Sequence, residues 1–283
     1  MAGQKTFLLG VGCQKGGTTW LHQYLDGHEN TDMGFVKEYH IFDALYIPGS
    51  VTYRKNAARD VLQGRATHAK KHLRKQRRRL RFYDDTALYF QYFARLAAKS
   101  PHTLLVGDIT PSYAGLPIAA LREIRTGLLA QGFRIRVVFF IRDPFERIWS
   151  MARMKLNNSH KHRGMSEVEV ILAHYDTQYT QIRSRYEQTL PRLEQVFAPE
   201  ELYVEFYERQ FDLHRIAALM DFLDLPYREP DLETRIHGSD KTMLIPEDIT
   251  VQVVEEYRQT YEFIAGKFGK TLVEGLWSST RFL

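Results

Sequence analysis

The chain has 283 residues, of which 44% are hydrophobic and 26% are charged, the composition of an ordinary globular protein. No apolar stretch approaches the ~18 residues of a membrane-spanning helix, no secretory leader is recognisable, and the single cysteine, Cys13, excludes an internal disulfide and a cysteine-rich metal site. The formal net charge of +5 favours anionic ligands, and we expect a cytoplasmic protein.

The first predicted elements are a buried strand at residues 7–11, a glycine-rich turn with the sequence GCQKGGTTW at residues 12–20, and a helix after it. Glycines free backbone N–H groups, and a helix start and a lysine add positive charge, so the turn predicts a site for an anionic oxygen cluster. In the loop of nucleotide-hydrolysing proteins, lysine directly precedes the Ser or Thr that holds magnesium. Here Lys15 precedes the glycine pair and Thr18 takes the place of that lysine, so the template fails.

Residues ~45 to ~100 are predicted to form an inserted, helical region that covers a substrate. Within it, residues 65–81 read RATHAKKHLRKQRRRLR, with nine Lys or Arg residues and no acidic one. Three interpretations stay open for this segment: a solvated basic face, a site that guides an acidic or sulfated acceptor, or a nucleic-acid contact. The last is the least favoured because no aromatic residues are interleaved with the charges.

The rest of the chain alternates strand-like and helix-like segments. Strands are predicted at residues 103–106, 136–141 and 202–206, and helices at 117–129, 166–193, 213–223 and 246–268. Alternation of this kind predicts an α/β fold with three layers, in which helices flank a mostly parallel central sheet. The phosphate-binding turn after the first strand indicates the P-loop-containing nucleotide-binding type of this fold. No Gly/Ser-rich or Pro-rich linker interrupts the chain, so residues 1–283 are expected to form a single domain.

Three polar residues follow predicted strands: Lys15, Asp108 and Arg142. Ligands of such sheets bind at the carboxyl ends of the strands, so these side chains are candidate site residues. After Arg142, Asp143 is suited to cap the next helix and Glu146 to complete a capping box. This start places Ser150 about two turns into the helix, where we expect it to share one phosphate with Arg142.

Together, the two loops resemble the sulfotransferase family that uses 3′-phosphoadenosine 5′-phosphosulfate (PAPS). The sequence KGGTTWL at residues 15–21 is similar to the family's 5′-phosphosulfate loop, and IRDP at residues 141–144 with Ser150 is similar to its 3′-phosphate motif. KEYHIFD at residues 37–43 resembles the Lys-Glu-x-His-Phe-Phe-Asp stretch of the heparan-type and related carbohydrate sulfotransferases. The resemblance extends loosely over most of the chain.

A further element, Tyr207-Glu208, is similar to the Tyr-Glu-Asp element of many members, with Arg209 in place of the acid. The resemblance implies PAPS as sulfuryl donor, 3′,5′-ADP as product and no metal. In that scheme Lys15 neutralises the leaving 5′-phosphate oxygen, and the late loop containing Lys241 contacts the 3′-phosphate. The full set of implied donor-binding residues is Lys15, Gly16, Gly17, Thr18, Thr19, Trp20, Arg142, Ser150, Tyr207 and Lys241.

The base for the acceptor hydroxyl has three candidates. Glu38 leads by the resemblance, since the glutamate of the matching stretch serves as base in the carbohydrate enzymes. His40 is the next candidate, as a base or as a residue that positions Glu38. Asp108 is the third, because it ends a central strand. Ile109 stands where those enzymes have a lysine, which argues against heparan specificity.

The sequence therefore predicts a sulfotransferase that acts on the hydroxyl of a carbohydrate or small molecule, with an anionic acceptor as one option. Nucleic acid is not expected as a partner, and no feature indicates the oligomeric state. Two alternatives remain: a small-molecule kinase with a related phosphate loop, and a non-catalytic module that binds nucleotide or acidic polymer. The displaced Lys15 argues against the kinase.

Overall fold

The computed structural model describes residues 4–63, 70–158, 160–232 and 243–283. These residues form one sheet of five parallel strands in the order β2-β3-β1-β4-β5. The strands are β1 (Thr6–Gly12), β2 (Thr31–Asp32), β3 (Leu105–Ile109), β4 (Arg134–Ile141) and β5 (Leu202–Phe206). The strand β2, at the edge of the sheet, was not predicted, because two residues are too short to show a pattern.

Helices make up most of the remaining described chain. They are α1 (Thr18–Asp26), α2 (Phe42–Tyr46), α3 (Thr52–Leu62), α4 (Lys70–Asp84), α5 (Ala87–Ala98), α6 (Ile118–Ala130), α7 (Pro144–Asn158), α8 (Glu167–Leu172), α9 (Gln178–Gln181), α10 (Tyr186–Val196), α11 (Leu213–Phe222), α12 (Glu247–Glu256), α13 (Arg258–Phe268) and α14 (Lys270–Leu276). Across the described ranges, no helix is long and apolar enough to span a membrane.

The alternation of side chains along β1 explains the three layers. Phe7 and Leu9 belong to the hydrophobic cluster on one face of the sheet, and Leu8 belongs to the cluster on the other. The first cluster includes buried residues of α5 and α6, and its rings of Phe7 and Phe93 lie 4.9 Å apart. The second includes buried residues of α1 and α11. The predicted α/β fold, with helices flanking a parallel sheet, is confirmed.

Two of the predicted helices are broken. Residues 166–193 form α8, α9 and most of α10, and Thr177, in an extended conformation, precedes α9. Residues 246–268 form α12 and α13, which meet at Tyr257. The ring of Tyr257 is fully buried, and its hydroxyl donates to the Tyr175 carbonyl at 2.5 Å. Tertiary contacts therefore set these breaks.

Candidate active site

The predicted phosphate loop joins β1 to α1. Lys15 and Gly17 both have positive φ, of 67° and 82°, and Gly17 directly precedes α1. The N-cap residue of α1, Gly17, has no side chain that could accept from the N–H groups of the first turn. Thr18 is buried in this turn and Thr19 is half-buried. A helix start of this kind, after a turn with positive φ, is suited to bind an anionic oxygen.

Both glycines of the loop are required by close neighbours. A Cβ atom on Gly16 would lie 2.6 Å from the Sγ of Cys13, which is buried beneath the turn. A Cβ atom on Gly17 would lie 1.8 Å from the Nε2 of Gln210, a residue only 3% exposed. Burial raises the pKa of the Cys13 thiol, so this cysteine packs as a small apolar residue.

Arg142, which follows β4, lies against this loop. Its Nη1 donates to the carbonyl oxygen of Lys15 at 2.8 Å, and its guanidinium stacks on the Tyr207 ring at 4.3 Å from the ring centre. Its Nη2 lies 3.7 Å from the carboxylate of Glu146. The two predicted loops, 127 residues apart in the chain, therefore meet in space.

Positive charge accumulates around Lys15. Burial lowers the pKa of Lys15, and the charges of Arg142, Arg153 and Lys37 lower it further. Arg153, 6% exposed, was not predicted, although it follows Ser150 by three residues on the same side of α7. Such a group of cations favours a bound anion with more than one negative charge.

Asp143 supports the turn after Arg142. Its carboxylate accepts hydrogen bonds from the N–H of Phe145, the second residue of α7, at 3.0 Å, from the Tyr261 hydroxyl at 2.6 Å and from the Ser279 N–H at 3.1 Å. In the expected capping box, Glu146 would accept from the N–H of Asp143. That N–H donates to Glu208 at 3.2 Å instead. Burial raises the pKa of Glu208 to about 7.

The KEYHIFD stretch brings three titratable side chains into one chain of hydrogen bonds. The Nε2 of His40 lies 3.1 Å from the Glu38 carboxylate, and its Nδ1 lies 2.7 Å from the Asp43 carboxylate. The Ser112 hydroxyl donates to Asp43 at 2.5 Å, and the Tyr53 ring stacks on the imidazole, with ring centres 3.6 Å apart. Asp43, three residues after His40, was not predicted as a site residue.

The ionisation of this group follows from its contacts. Burial raises the pKa of Glu38, but hydrogen bonds from His40 and Lys37 outweigh burial and hold it at about 2. Burial lowers the pKa of His40, and the two carboxylates outweigh burial in the other direction, so the pKa is raised. Lys37 contacts Glu38 and its charge acts on Lys15, which connects this group with the phosphate loop.

Asp108 has different surroundings. It is fully buried, and its carboxylate accepts hydrogen bonds from Thr110 at 2.6 Å, Tyr113 at 2.9 Å and Tyr89 at 3.0 Å. Burial raises its pKa to about 6. Three hydroxyl donors in a closed core favour a structural role for Asp108.

Three further residues were predicted to bind the donor: Trp20, Ser150 and Lys241. Trp20, 6% exposed, stacks on Tyr24 with ring centres 5.2 Å apart and contacts Phe211 edge-on. Ser150 is buried on α7, and Lys241 lies outside the described residues. In the described ranges, no group of three or more His, Cys, Asp and Glu residues is arranged to hold a metal ion.

The sequence profile of the sulfotransferase family matches residues 8–229, so the chain belongs to the sulfotransferase family. A sulfotransferase from Alicyclobacillus acidocaldarius aligns with a TM-score of 0.56 at 17% identity, over 93% of this chain and 95% of that chain. A sulfotransferase from Mycobacterium avium aligns with a TM-score of 0.46 at 13% identity, over 93% and 77%. Among curated proteins, none matches the chain by sequence. The predicted family is confirmed.

Proposed function

We propose that the protein transfers a sulfuryl group from PAPS to an acceptor hydroxyl and releases 3′,5′-ADP. The observation that carries this proposal is the 2.8 Å contact between Arg142 and the Lys15 carbonyl. It joins a guanidinium suited to a forked phosphate contact to a loop with uncapped helix N–H groups. A nucleotide with anionic groups at both ends of adenosine matches these two neighbouring sites.

The residues present fit such a donor. Bound PAPS supplies the sulfuryl group and a 5′-phosphate oxygen as leaving group. Lys15 neutralises that oxygen, while the N–H groups and hydroxyls after Gly17 hold the phosphosulfate. Arg142 and Ser150 hold the 3′-phosphate, with the Tyr207 ring supporting the guanidinium. Because a sulfuryl group carries less negative charge than a phosphoryl group, these donors suffice without a metal ion in our proposal.

Glu38 and His40 act as one base in this proposal. Their 3.1 Å hydrogen bond means that a proton taken by either belongs to the pair. As the acceptor oxygen bonds to sulfur and the bond from sulfur to the 5′-phosphate oxygen breaks, the acceptor proton passes to the Glu38 carboxylate and from there to Nε2 of His40. Asp43, at Nδ1, stabilises the imidazolium that results. Tyr53, stacked on the imidazole, keeps the ring in place.

The direct test is incubation of the purified protein with radiolabelled PAPS and a panel of sugars, phenols and lipids. We expect label transfer without added metal, and we expect Lys15→Ala to abolish transfer without unfolding the protein. Phosphoryl transfer from ATP with magnesium, in place of sulfuryl transfer, would show that the kinase alternative is correct.

A further inference from the structure

We propose that Gln210 binds the ribose of the donor and recognises its 2′-hydroxyl group. This inference rests on the proposed function, since it specifies how the same site selects its nucleotide. Its basis is a buried amide side chain that lies beside the phosphate loop and has two unpaired polar atoms. A site of this kind takes a ribonucleotide in preference to the 2′-deoxy analogue.

The amide of Gln210 is enclosed and unpaired. The residue is 3% exposed, and neither Nε2 nor Oε1 has a hydrogen-bonding partner among residues 4–63, 70–158, 160–232 and 243–283. Most buried polar side-chain atoms in proteins are paired, and leaving one unpaired costs free energy. The unpaired amide therefore indicates a bound group that completes its hydrogen bonds.

Gln210 lies at the junction of the two anion sites. On one side, a Cβ atom on Gly17 would lie 1.8 Å from Nε2 and 2.7 Å from Oε1, so the amide lies against the backbone of the phosphate loop. On the other side, the N–H of Gln210 donates to the Tyr207 carbonyl at 3.3 Å, and the Tyr207 ring stacks on Arg142. In the proposed complex, the 5′-phosphate is held at the loop and the 3′-phosphate at Arg142. The ribose joins these two phosphates, so we place it beside Gln210.

The turn that carries Gln210 reaches the molecular surface. Tyr207 and Arg209 are half-buried, and Phe211 is 36% exposed. The rings of Phe211 and Trp20 meet edge to face, with ring centres 5.3 Å apart. The neighbours of Gln210 in the chain thus face solvent in part, which gives a bound nucleotide a short path to the amide.

The chemistry of the amide selects a hydroxyl group. Its Nε2 donates hydrogen bonds, whereas its Oε1 only accepts them. Phosphate oxygens accept, so a phosphate alone pairs with Nε2 and leaves Oε1 unpaired. A ribose that is phosphorylated at the 3′ and 5′ positions has one remaining O–H donor, the 2′-hydroxyl. That hydroxyl pairs with Oε1, while Nε2 donates to a neighbouring phosphate or ribose oxygen. The amino group of adenine is the other donor on the nucleotide, but it lies at the end of the base far from both phosphates.

The test compares two nucleotides that differ only in this hydroxyl: 3′,5′-ADP and 2′-deoxyadenosine 3′,5′-bisphosphate. Calorimetric titration gives both affinities for the native protein and for two variants. Gln210→Met keeps the length of the side chain and removes its polar atoms, and Gln210→Glu keeps an acceptor oxygen. The matched control is Gln76→Met, because Gln76 is a second buried glutamine with an unpaired Oε1, on α4, where it contacts His72. Thermal unfolding without nucleotide is measured for each protein.

We expect the native protein to bind 3′,5′-ADP about tenfold more tightly than the deoxy analogue, since the analogue leaves a buried acceptor unpaired. In Gln210→Met this preference should disappear through weaker binding of 3′,5′-ADP, with a melting temperature that is equal or higher. In Gln210→Glu the preference should persist, while both nucleotides bind more weakly because a carboxylate then lies near the phosphates. Gln76→Met should keep the preference and both affinities.

Equal affinity of the native protein for the two nucleotides would overturn the inference, as would a preference that persists in Gln210→Met. A lower melting temperature of Gln210→Met with unchanged nucleotide affinities would show that Gln210 is structural only. If Gln210→Met does not fold, Gln210→Glu decides, since loss of the preference there would also overturn the inference. If neither nucleotide binds to the native protein, the proposed function fails, whereas equal binding of both defeats only the role of Gln210.

Discussion

Arg142 connects the two anion sites of the proposed donor. Replacing it by Ala removes a charge-assisted contact to the 3′-phosphate, so Arg142→Ala should weaken 3′,5′-ADP binding by about 10- to 100-fold. The affinity for 5′-AMP, which lacks that phosphate, should change much less. Isothermal titration calorimetry measures both, and equal losses would show that Arg142 only supports the Lys15 carbonyl.

The pH dependence of turnover distinguishes the candidate bases. When Glu38 and His40 already share a proton, they cannot take another from the acceptor hydroxyl. The value of kcat/KM should therefore be low below the raised pKa of His40 and rise as pH increases through it. In His40→Gln this dependence should disappear. A limb near pH 6 that persists in His40→Gln would instead indicate Asp108, whose pKa burial raises to about 6.

Glu38→Gln tests the base itself. The amide cannot accept the proton, so turnover should fall by about 100-fold or more, whereas affinity for 3′,5′-ADP should remain nearly intact. Steady-state kinetics and calorimetry give the two values. Unchanged turnover in this variant would assign the reaction to His40 or Asp108.

Gly17→Ala is matched by Gly132→Ala. Both glycines have positive φ, 82° and 79°, so the backbone strain of each alanine should cost about 1 kcal/mol of unfolding free energy. Only at Gly17 does the added Cβ meet a side chain, the amide of Gln210. Nucleotide affinity should therefore fall in Gly17→Ala alone, and a similar fall in Gly132→Ala would indicate a general loss of structure.

Glu208, in the turn after β5, joins that turn to the segment between β4 and α7 by accepting from the N–H of Asp143. Its pKa, raised by burial to about 7 from an ordinary value near 4.5, favours the protonated form in the folded state. The stabilisation is thus present below about pH 4.5 and is lost as pH rises through about 7. The amide of Glu208→Gln stays neutral at every pH. The melting temperature of this variant should therefore rise relative to that of the native chain as pH increases over this range. A difference in melting temperature that does not vary with pH would contradict this account.

The elements also show which sequence signals are informative. The central strands were predictable because both faces are buried, which leaves continuous apolar runs such as that of β4. The breaks in the predicted helices at 166–193 and 246–268 were not, because they depend on tertiary partners such as that of Tyr257. The turn of Asp143 was predicted, but its partner Glu208 comes from a distant segment.

At the scale of the whole molecule, local motifs identified the two loops, and the fold brought them together. The approach of Arg142 to Lys15 was predictable because each residue follows a strand of a parallel sheet. Arg153 and Gln210 were not, since their proximity to the loop arises only from packing. The position of α4 beside Glu38 likewise appears only in the folded chain. The single-domain organisation of residues 1–283 stays a prediction.

The central claim is that the molecule binds a nucleotide phosphorylated at both ends. Calorimetric titration of the native protein with 3′,5′-ADP, 5′-AMP and ATP with magnesium tests it most directly. We expect 3′,5′-ADP to bind without metal and at least about tenfold more tightly than 5′-AMP, because two anion sites are then filled. Absence of 3′,5′-ADP binding, or tighter binding of ATP with magnesium, would contradict the account.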